Sequence, residues 1–201
     1  MSMDNEFLAI EHEMQAQGYR VVCGCDEAGA GPLAGAVFAA AVILPEEYDL
    51  PYLTDSKKLS EKRREVLFDQ VKEQAVAWAI ASVDEKEIDA TNILKARLKA
   101  MDLAIHMLDV KPDFALIDGN RNAGITIPNR TVIKGDSLSA SISAASILAK
   151  VARDRYMMEM AAKYPEYKFE QHKGYGTKLH YEMLREYGPC PIHRLTFLKN
   201  L

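Results

Sequence analysis

The sequence contains few of the residues that mark secreted, disulfide-bonded or membrane proteins. Its 201 residues include three cysteines and one tryptophan, and the formal net charge is -4. Cys23, Cys25 and Cys190 are odd in number and fit neither a zinc ribbon nor a Cys-x-x-Cys redox motif, so we expect reduced thiols. No run approaches the roughly 20 apolar residues of a spanning helix, and the N-terminus lacks the basic and apolar regions of a leader. We therefore expect no membrane partner and a cytoplasmic location.

Charge is unevenly distributed along the chain. Residues 150–201 carry ten lysines and arginines against six acids, so the C-terminal quarter is basic and the remainder is acidic. Phosphate binding depends on the local potential at the docking face, not on the net charge. The pattern is compatible with a nucleic-acid partner, and a solvated basic helix face explains it equally well.

The length and the 48% of hydrophobic residues suit one compact domain with a small helical appendage, and the order of the predicted elements is that of an α/β protein. Strands are predicted at 20–26, 36–44, 75–83, 114–118 and 131–133, and helices at 60–74, 92–108, 139–163 and 178–187. Segments 120–129 and 168–177 are predicted to be flexible loops. This order predicts a sheet with helices on its faces and a helical C-terminal end. Cys23 and Cys25 would pack on one face of the first strand, with a C-x-C metal site as the alternative.

Carboxylates stand where buried strands are predicted to end. Asp26 and Glu27 end the first strand, Asp118 ends a later one, and Asp154 lies on or beside the apolar face of the long helix. In open α/β sheets, ligands bind outside the strand ends. Four converging carboxylates would repel one another unless divalent cations neutralised them, and their oxygens favour Mg²⁺ or Mn²⁺. Two such ions would suit phosphodiester hydrolysis.

A structural interpretation of these acids remains open, in which they are helix caps and surface ion pairs. Asp154 would then pair with Arg153 or Arg155. The glycine-rich segment 29–35 is equally ambiguous. It is neither a Walker A loop nor a G-x-G-x-x-G fingerprint. It would let a nucleic-acid backbone approach its amides, or it would serve only as a strand-to-strand turn.

Six segments, in order along nearly the whole chain, resemble the ribonuclease HII family. They are DEAG at 26–29 with GPLAG at 31–35, DSKKLS at 55–60, DGN at 118–120, KGD at 134–136, the segment 141–154, and HKGYGT at 172–177. The resemblance implies a ribonuclease H-like mixed sheet flanked by helices, with a catalytic domain over 1–163 and a C-terminal helical substrate-binding part over 164–201. We expect a monomer.

The resemblance also implies an activity. Members cleave the RNA strand of RNA/DNA hybrids endonucleolytically with divalent metal ions. They also cut on the 5′ side of single ribonucleotides embedded in duplex DNA, leaving a 3′-hydroxyl and a 5′-phosphate.

Residue roles follow from the resemblance position by position. The metal-binding catalytic carboxylates would be Asp26, Glu27, Asp118 and Asp154, and the substrate-binding residues Gly29, Ala30, Gly31, Lys57 and Tyr175. Lys57 would contact the phosphate near the cut. Backbone amides at 29–31 would bind the 2′-hydroxyl, and Tyr175 would pack on the following deoxyribose, where an added 2′-hydroxyl would clash.

Ala30 departs from the family pattern, which has arginine between the two glycines. The glycines keep the close backbone approach, but an arginine–phosphate contact worth about 1.5–3 kcal/mol is absent. We therefore predict weakened but measurable activity with Mn²⁺. The alternatives are a module that binds hybrids or junctions without cutting them, and another two-metal nuclease of similar fold.

Overall fold

The structure is a computed structural model that describes residues 7–53 and 59–199. Its strands are β1 Val22–Ala28, β2 Val37–Ile43, β3 Ala77–Val83, β4 Phe114–Asp118 and β5 Asn129–Val132. Its α-helices are α1 Ala9–Ala16, α2 Glu61–Gln74, α3 Glu85–Ala90, α4 Ile93–Met107, α5 Ala140–Lys163, α6 Phe169–His172 and α7 Lys178–Tyr187. Lys57 lies outside the described residues, so its predicted phosphate contact stays a prediction.

The five strands form one mixed sheet in the order β3-β2-β1-β4-β5. β1 pairs with β2 antiparallel, and β2 with β3 likewise, whereas β1, β4 and β5 run parallel. Parallel neighbours end at the same edge of a sheet. The register places Cys25 opposite Ile117, so Asp26 lies beside Asp118, the last residue of β4.

Helices cover both faces of this sheet, as the sequence predicts. Cys23 and Cys25 point to the face covered by α4, whereas Ala40 and Val42 of β2 point to the face covered by α2 and α5. The two cysteines are free and buried, and burial raises the pKa of Cys23 to about 12. They are apolar packing residues, as predicted.

The start of α5 is fixed by polar contacts to α1. The Ser139 hydroxyl accepts from the Ile142 N–H at 3.3 Å and donates to the Glu11 carboxylate at 2.6 Å. The same Glu11 oxygen accepts from the Ser141 hydroxyl at 2.6 Å and from the Ser141 N–H at 3.1 Å. A buried acid at a helix N-terminus satisfies amides that have no partner within the helix.

The C-terminal residues differ from the predicted flexible loop at 168–177. Residues Phe169–His172 form the short helix α6, and the Phe169 side chain is fully buried. Its ring packs against the rings of Tyr167 and His193, with centroids 5.4 and 5.8 Å away. Aromatic packing therefore orders this segment. The division of the chain at residue 163 remains a hypothesis.

None of the helices within residues 7–53 and 59–199 is both long and apolar enough to cross a membrane.

Candidate active site

A buried and a partly buried carboxylate meet at the shared edge of β1 and β4. Asp26 is 6% exposed, and the parallel register sets it beside Asp118 at the end of β4. Burial raises the pKa of Asp26 well above its usual range, and the nearby charges of Asp118 and Glu27 raise it further. Hydrogen bonds from the Ser146 side chain and the Glu27 N–H act in the opposite direction, the second at 2.7 Å.

Glu27 is the third carboxylate of this cluster. Burial raises its pKa, Arg97 opposes that rise, and Asp118 adds to it. The Arg97 Nη1 donates to Glu27 Oε1 at 3.0 Å. Three residues after the end of β5, the Gly135 N–H donates to Asp118 Oδ1 at 2.7 Å. The structure thus brings Asp26, Glu27 and Asp118 into one electrostatically coupled group.

Asp154 lies on α5 and is held by its own helix. It is 7% exposed, and the Lys150 Nζ donates to its Oδ1 at 2.7 Å. The partners that the ion-pair interpretation named are engaged elsewhere, because Arg155 pairs with Glu65 and Arg153 turns towards the glycine-rich loop. Asp154 is eight residues beyond Ser146, which is about 12 Å along a helix axis. Its place among the catalytic carboxylates stays a prediction.

Asp136 is a buried acid that the sequence reasoning did not assign. It is 2% exposed and follows Gly135, whose amide binds Asp118. Because β4 and β5 are parallel, the segment after β5 emerges at the same edge as Asp118. The KGD segment at 134–136 contributed to the family resemblance, and its position directly after a predicted strand could have identified this acid.

The donor chemistry of this edge suits a hard divalent cation. Within the described residues, no three histidine, cysteine, aspartate or glutamate side chains already form a metal-binding group. However, Asp26, Glu27 and Asp118 offer carboxylate oxygens, which Mg²⁺ and Mn²⁺ prefer. Burial and then the charges of Asp118 and Glu27 raise the pKa of Asp26, and a bound cation would relieve the repulsion between the acids. The residues therefore fit the metal ions that the sequence predicted.

A cavity of about 390 Å³ opens beside the carboxylates. It is lined by Glu27 together with four of the five predicted substrate-binding residues, Gly29, Ala30, Gly31 and Tyr175. Arg64 and Lys150 also line it and supply positive charge. Tyr175 is 44% exposed, and its ring lies 3.9 Å from where a Cβ on Gly31 would stand. A flat aromatic ring and a glycine-rich loop therefore lie next to each other at the cavity.

Two arginines of the basic C-terminal quarter are buried beneath this cavity. Arg153 is 1% exposed, and Arg194 is fully buried. The Arg153 guanidinium donates to the carbonyls of Ala34 and Ala36 and lies 5.7 Å from the centre of the Tyr175 ring. These two cations therefore organise the loop, and they do not form an exposed basic docking face.

Three buried histidines support the backbone beside Tyr175. His180 Nδ1 donates to the Tyr175 carbonyl at 3.0 Å, and the Gly174 N–H donates to His172 Nδ1 at 3.2 Å. His180 and His193 share a hydrogen bond of 3.0 Å between their Nε2 atoms. Burial lowers the pKa of both His180 and His193 to about 4, so the pair is neutral at pH 7.

A mixed sheet with acids at the ends of parallel strands, beside a cavity with a glycine-rich loop, defines a hydrolase of the ribonuclease H-like class. A family model described as Ribonuclease HII matches residues 23–200. The ribonuclease HII of Caldicellulosiruptor bescii is 51% identical over 201 residues, which cover 100% of this chain and 98% of that protein. The chain belongs to the ribonuclease HII family, a type 2 ribonuclease H hydrolase that acts on RNA/DNA hybrids with divalent metal ions.

Solved structures have the same fold. The ribonuclease H2 of Pyrococcus horikoshii OT3 superposes with a TM-score of 0.71 at 28% identity, covering 88% of this chain and 93% of that one. Bst-RNase HIII, crystallised in complex with Mn²⁺, superposes with a TM-score of 0.64 at 17% identity, covering 84% and 63% of the two chains.

Proposed function

We propose that this chain cuts on the 5′ side of single ribonucleotides embedded in duplex DNA as well as within RNA/DNA hybrids, leaving a 3′-hydroxyl and a 5′-phosphate. One observation carries the proposal. Glu27 belongs to the carboxylate cluster and also lines the cavity that contains Gly29, Ala30, Gly31 and Tyr175. The acids that would cut and the groups that would recognise a ribonucleotide therefore adjoin one another.

Asp26, Glu27 and Asp118 would hold the divalent ions at the sheet edge. When bound, Mg²⁺ or Mn²⁺ supplies an activated water and stabilises the leaving oxygen. The protein fixes the acids: the Glu27 N–H and Ser146 orient Asp26, and the Gly135 N–H orients Asp118. Bst-RNase HIII, a neighbour of the same fold, was crystallised with Mn²⁺.

Two residues compete for the position of a fourth carboxylate. Asp154 is predicted from the sequence, but the ammonium of Lys150 engages its carboxylate in this structure. Asp136 is more buried, and its neighbour Gly135 binds Asp118 directly. The position of Asp136 at the shared end of the parallel strands favours it.

The cavity would divide substrate recognition between its two sides. Amides of residues 29–31 would bind the 2′-hydroxyl of the ribonucleotide, and the Tyr175 face would pack on the next deoxyribose. Arg64 and Lys150 line the cavity, so they would supply phosphate contacts. The uncharged alanine at position 30 cannot make such a contact. Lys57 would add a phosphate contact. We further propose that the protein works as a monomer in the cytoplasm.

The decisive experiment maps the products of a duplex that contains one ribonucleotide. We expect one cut on its 5′ side with Mn²⁺ or Mg²⁺, no cut with chelator, and at least a 100-fold loss of kcat in Asp118→Asn. Tight binding without product would indicate a binding module instead. Equal cutting of an all-DNA duplex would indicate a different two-metal nuclease.

The same assay separates the two candidate acids. If Asp136 completes the site, Asp136→Asn should lower kcat by about 100-fold or more, whereas Asp154→Asn should lower it less than tenfold. The opposite order would establish Asp154 as the ligand and reject Asp136. Thermal unfolding of both variants controls for destabilisation.

A further inference from the structure

The Arg194 guanidinium is enclosed by the glycine-rich loop. Its Nε donates to the Gly35 carbonyl at 2.9 Å, and its Nη2 donates to the carbonyls of Gly35 and Gly29, both at 2.7 Å. Its Nη1 donates to the carbonyls of Ala30 at 3.1 Å and Pro32 at 2.9 Å. A guanidinium has five N–H donors, so these carbonyls use its whole capacity.

The contacts with Arg194 also fix the direction of the Ala30 and Gly31 N–H groups, because each peptide bond is planar. In a planar trans peptide, the N–H points opposite to the preceding carbonyl. Because the carbonyls of Gly29 and Ala30 point inward to Arg194, the N–H groups of Ala30 and Gly31 point the other way. Among the described residues, no backbone hydrogen bond uses either N–H. Both residues line the cavity.

Arg194 also connects this loop to the segment that contains Tyr175. Its own N–H donates to the Leu33 carbonyl at 2.8 Å, and the Leu33 N–H donates to the Gly174 carbonyl at 2.8 Å. The two sides of the cavity are therefore joined through residues that contact Arg194. Movement of the guanidinium would disturb both sides together.

Burying a full charge is costly, and a simple strand-to-strand turn does not require one. Lysine could not reproduce the arrangement, because its single ammonium cannot satisfy carbonyls spread around a planar fork. The contacts of Arg194 thus specify the conformation of the loop as well as filling space.

We infer that Arg194 is a positioning residue that turns the Ala30 and Gly31 amides towards the 2′-hydroxyl of the substrate ribonucleotide. This inference rests on the proposed function. It explains how backbone recognition persists without an arginine at position 30, since the side chain that shapes the loop comes from residue 194.

The test compares binding of two duplexes that differ in one 2′-hydroxyl. Affinities are measured in Ca²⁺ for a duplex with one ribonucleotide and for the same duplex made only of DNA. We expect Arg194→Lys to weaken binding of the first about tenfold and to change the second less than twofold. The preference for a ribonucleotide would fall accordingly.

Two control variants separate positioning from stability. Val71→Ala, on the buried face of α2, lowers stability without touching the loop, and Arg20→Lys makes the same exchange at an exposed site. Both should keep the wild-type preference. If Val71→Ala loses as much preference as Arg194→Lys at a matched unfolding temperature, or if Arg194→Lys keeps the preference, the inference is overturned.

A second measurement applies even if Arg194→Lys does not fold. In the wild-type protein, the amide NMR signals of Ala30 and Gly31 should shift on adding the ribonucleotide duplex and stay unchanged with the all-DNA duplex. Equal responses to both duplexes would overturn the inference. If the wild-type protein cuts no single-ribonucleotide duplex and binds both equally, the proposed function itself fails.

Discussion

A loop at this position can contact a substrate through its backbone and through the side chain of residue 30. The backbone at Gly29, Ala30 and Gly31 lines the cavity, so it can reach a substrate whatever side chain residue 30 carries. A guanidinium at this position would add a charge-assisted contact to a phosphate. If the loop binds substrate as proposed, the alanine removes only the phosphate contact.

Ala30→Arg should therefore raise kcat/KM for a single-ribonucleotide duplex. An arginine–phosphate contact of about 1.5–3 kcal/mol corresponds to a gain of roughly 10- to 150-fold. Steady-state kinetics at fixed ionic strength measures this gain. Ala30→Gln, which adds bulk without charge, is the matched control. No gain with arginine, or an equal gain with glutamine, would contradict the explanation.

Gly29 has a backbone conformation that other residues adopt with difficulty, with φ +95°. A Cβ there would stand 2.0 Å from the Arg153 Nε. Gly29→Ala should therefore lower the free energy of unfolding by about 2–4 kcal/mol and reduce cleavage. Urea unfolding and the cleavage assay measure the two effects.

Gly18 provides the comparison for this substitution. Its φ is +102°, but a Cβ there would have no neighbour within 4 Å. Gly18→Ala should cost only the backbone strain, about 1–2 kcal/mol, and leave cleavage unchanged. Equal losses for the two variants would show that the contact with Arg153 does not matter.

At the scale of elements, the long helix links the core to the site. α5 spans Ala140–Lys163 and carries Ser146 against Asp26, and Lys150 at the cavity. The sequence predicts this helix closely, because Ser139 is a strong N-cap and Pro165 prevents its continuation. Correct placement of its N-terminus therefore determines where its polar residues meet the sheet edge.

Ser139→Ala should lower the free energy of unfolding by about 2 kcal/mol. The substitution removes an N-cap and a donor to the buried Glu11 carboxylate. Ser60→Ala is the matched control, because Ser60 caps α2 at an exposed position with a bond of 3.4 Å. We expect a loss nearer 0.5–1 kcal/mol there. Chemical denaturation that shows equal losses would rule out a special contribution from Glu11.

The sequence predicts the regular elements better than the contacts between them. A short apolar run before Gly119 predicts β4, and Gly188 with Pro189 predicts the end of α7, both at the observed bounds, because these signals are local. The sequence does not predict α1, α3 or α6, which span only eight, six and four residues. Short helices contain too few turns to show a period.

The same limit applies to the candidate site. Acids at strand ends indicate Asp26, Glu27 and Asp118, because burial of a carboxylate needs a local reason. The enclosure of Arg194 depends on residues brought together from distant parts of the chain. The charge count of the C-terminal quarter includes Arg153 and Arg194 and therefore suggests an exposed basic face. In the folded protein both side chains are buried.

At the scale of the whole molecule, the buried histidines should make stability depend on pH. His180 and His193 are nearly inaccessible, and burial lowers their pKa from 6.5 to about 4. Between these values the unfolded chain binds more protons than the folded one, so stability is full above pH 6.5 and falls as the pH drops towards 4. We expect a loss on the order of 2–4 kcal/mol at pH 5.

Urea unfolding at pH 7.5 and pH 5 measures this loss. The double variant His180→Gln with His193→Gln should lose less stability between the two pH values than the wild type. His12→Gln, at a partly exposed histidine paired with Glu46, should behave like the wild type. An unchanged pH dependence in the double variant would show that other groups cause the loss.

The distance along the chain between Arg194 and its loop has a consequence for biosynthesis. The guanidinium and the carbonyls that it binds are separated by 159 to 165 residues. On a translating ribosome, the loop emerges roughly 10–30 s before the residue that organises it, at about 5–20 residues per second. A nascent chain can thus build most of its sheet early, whereas the loop conformation that Arg194 specifies has to wait until residue 194 has emerged. A chain truncated before residue 194 would carry the acids at the strand ends without the side chain that holds the loop.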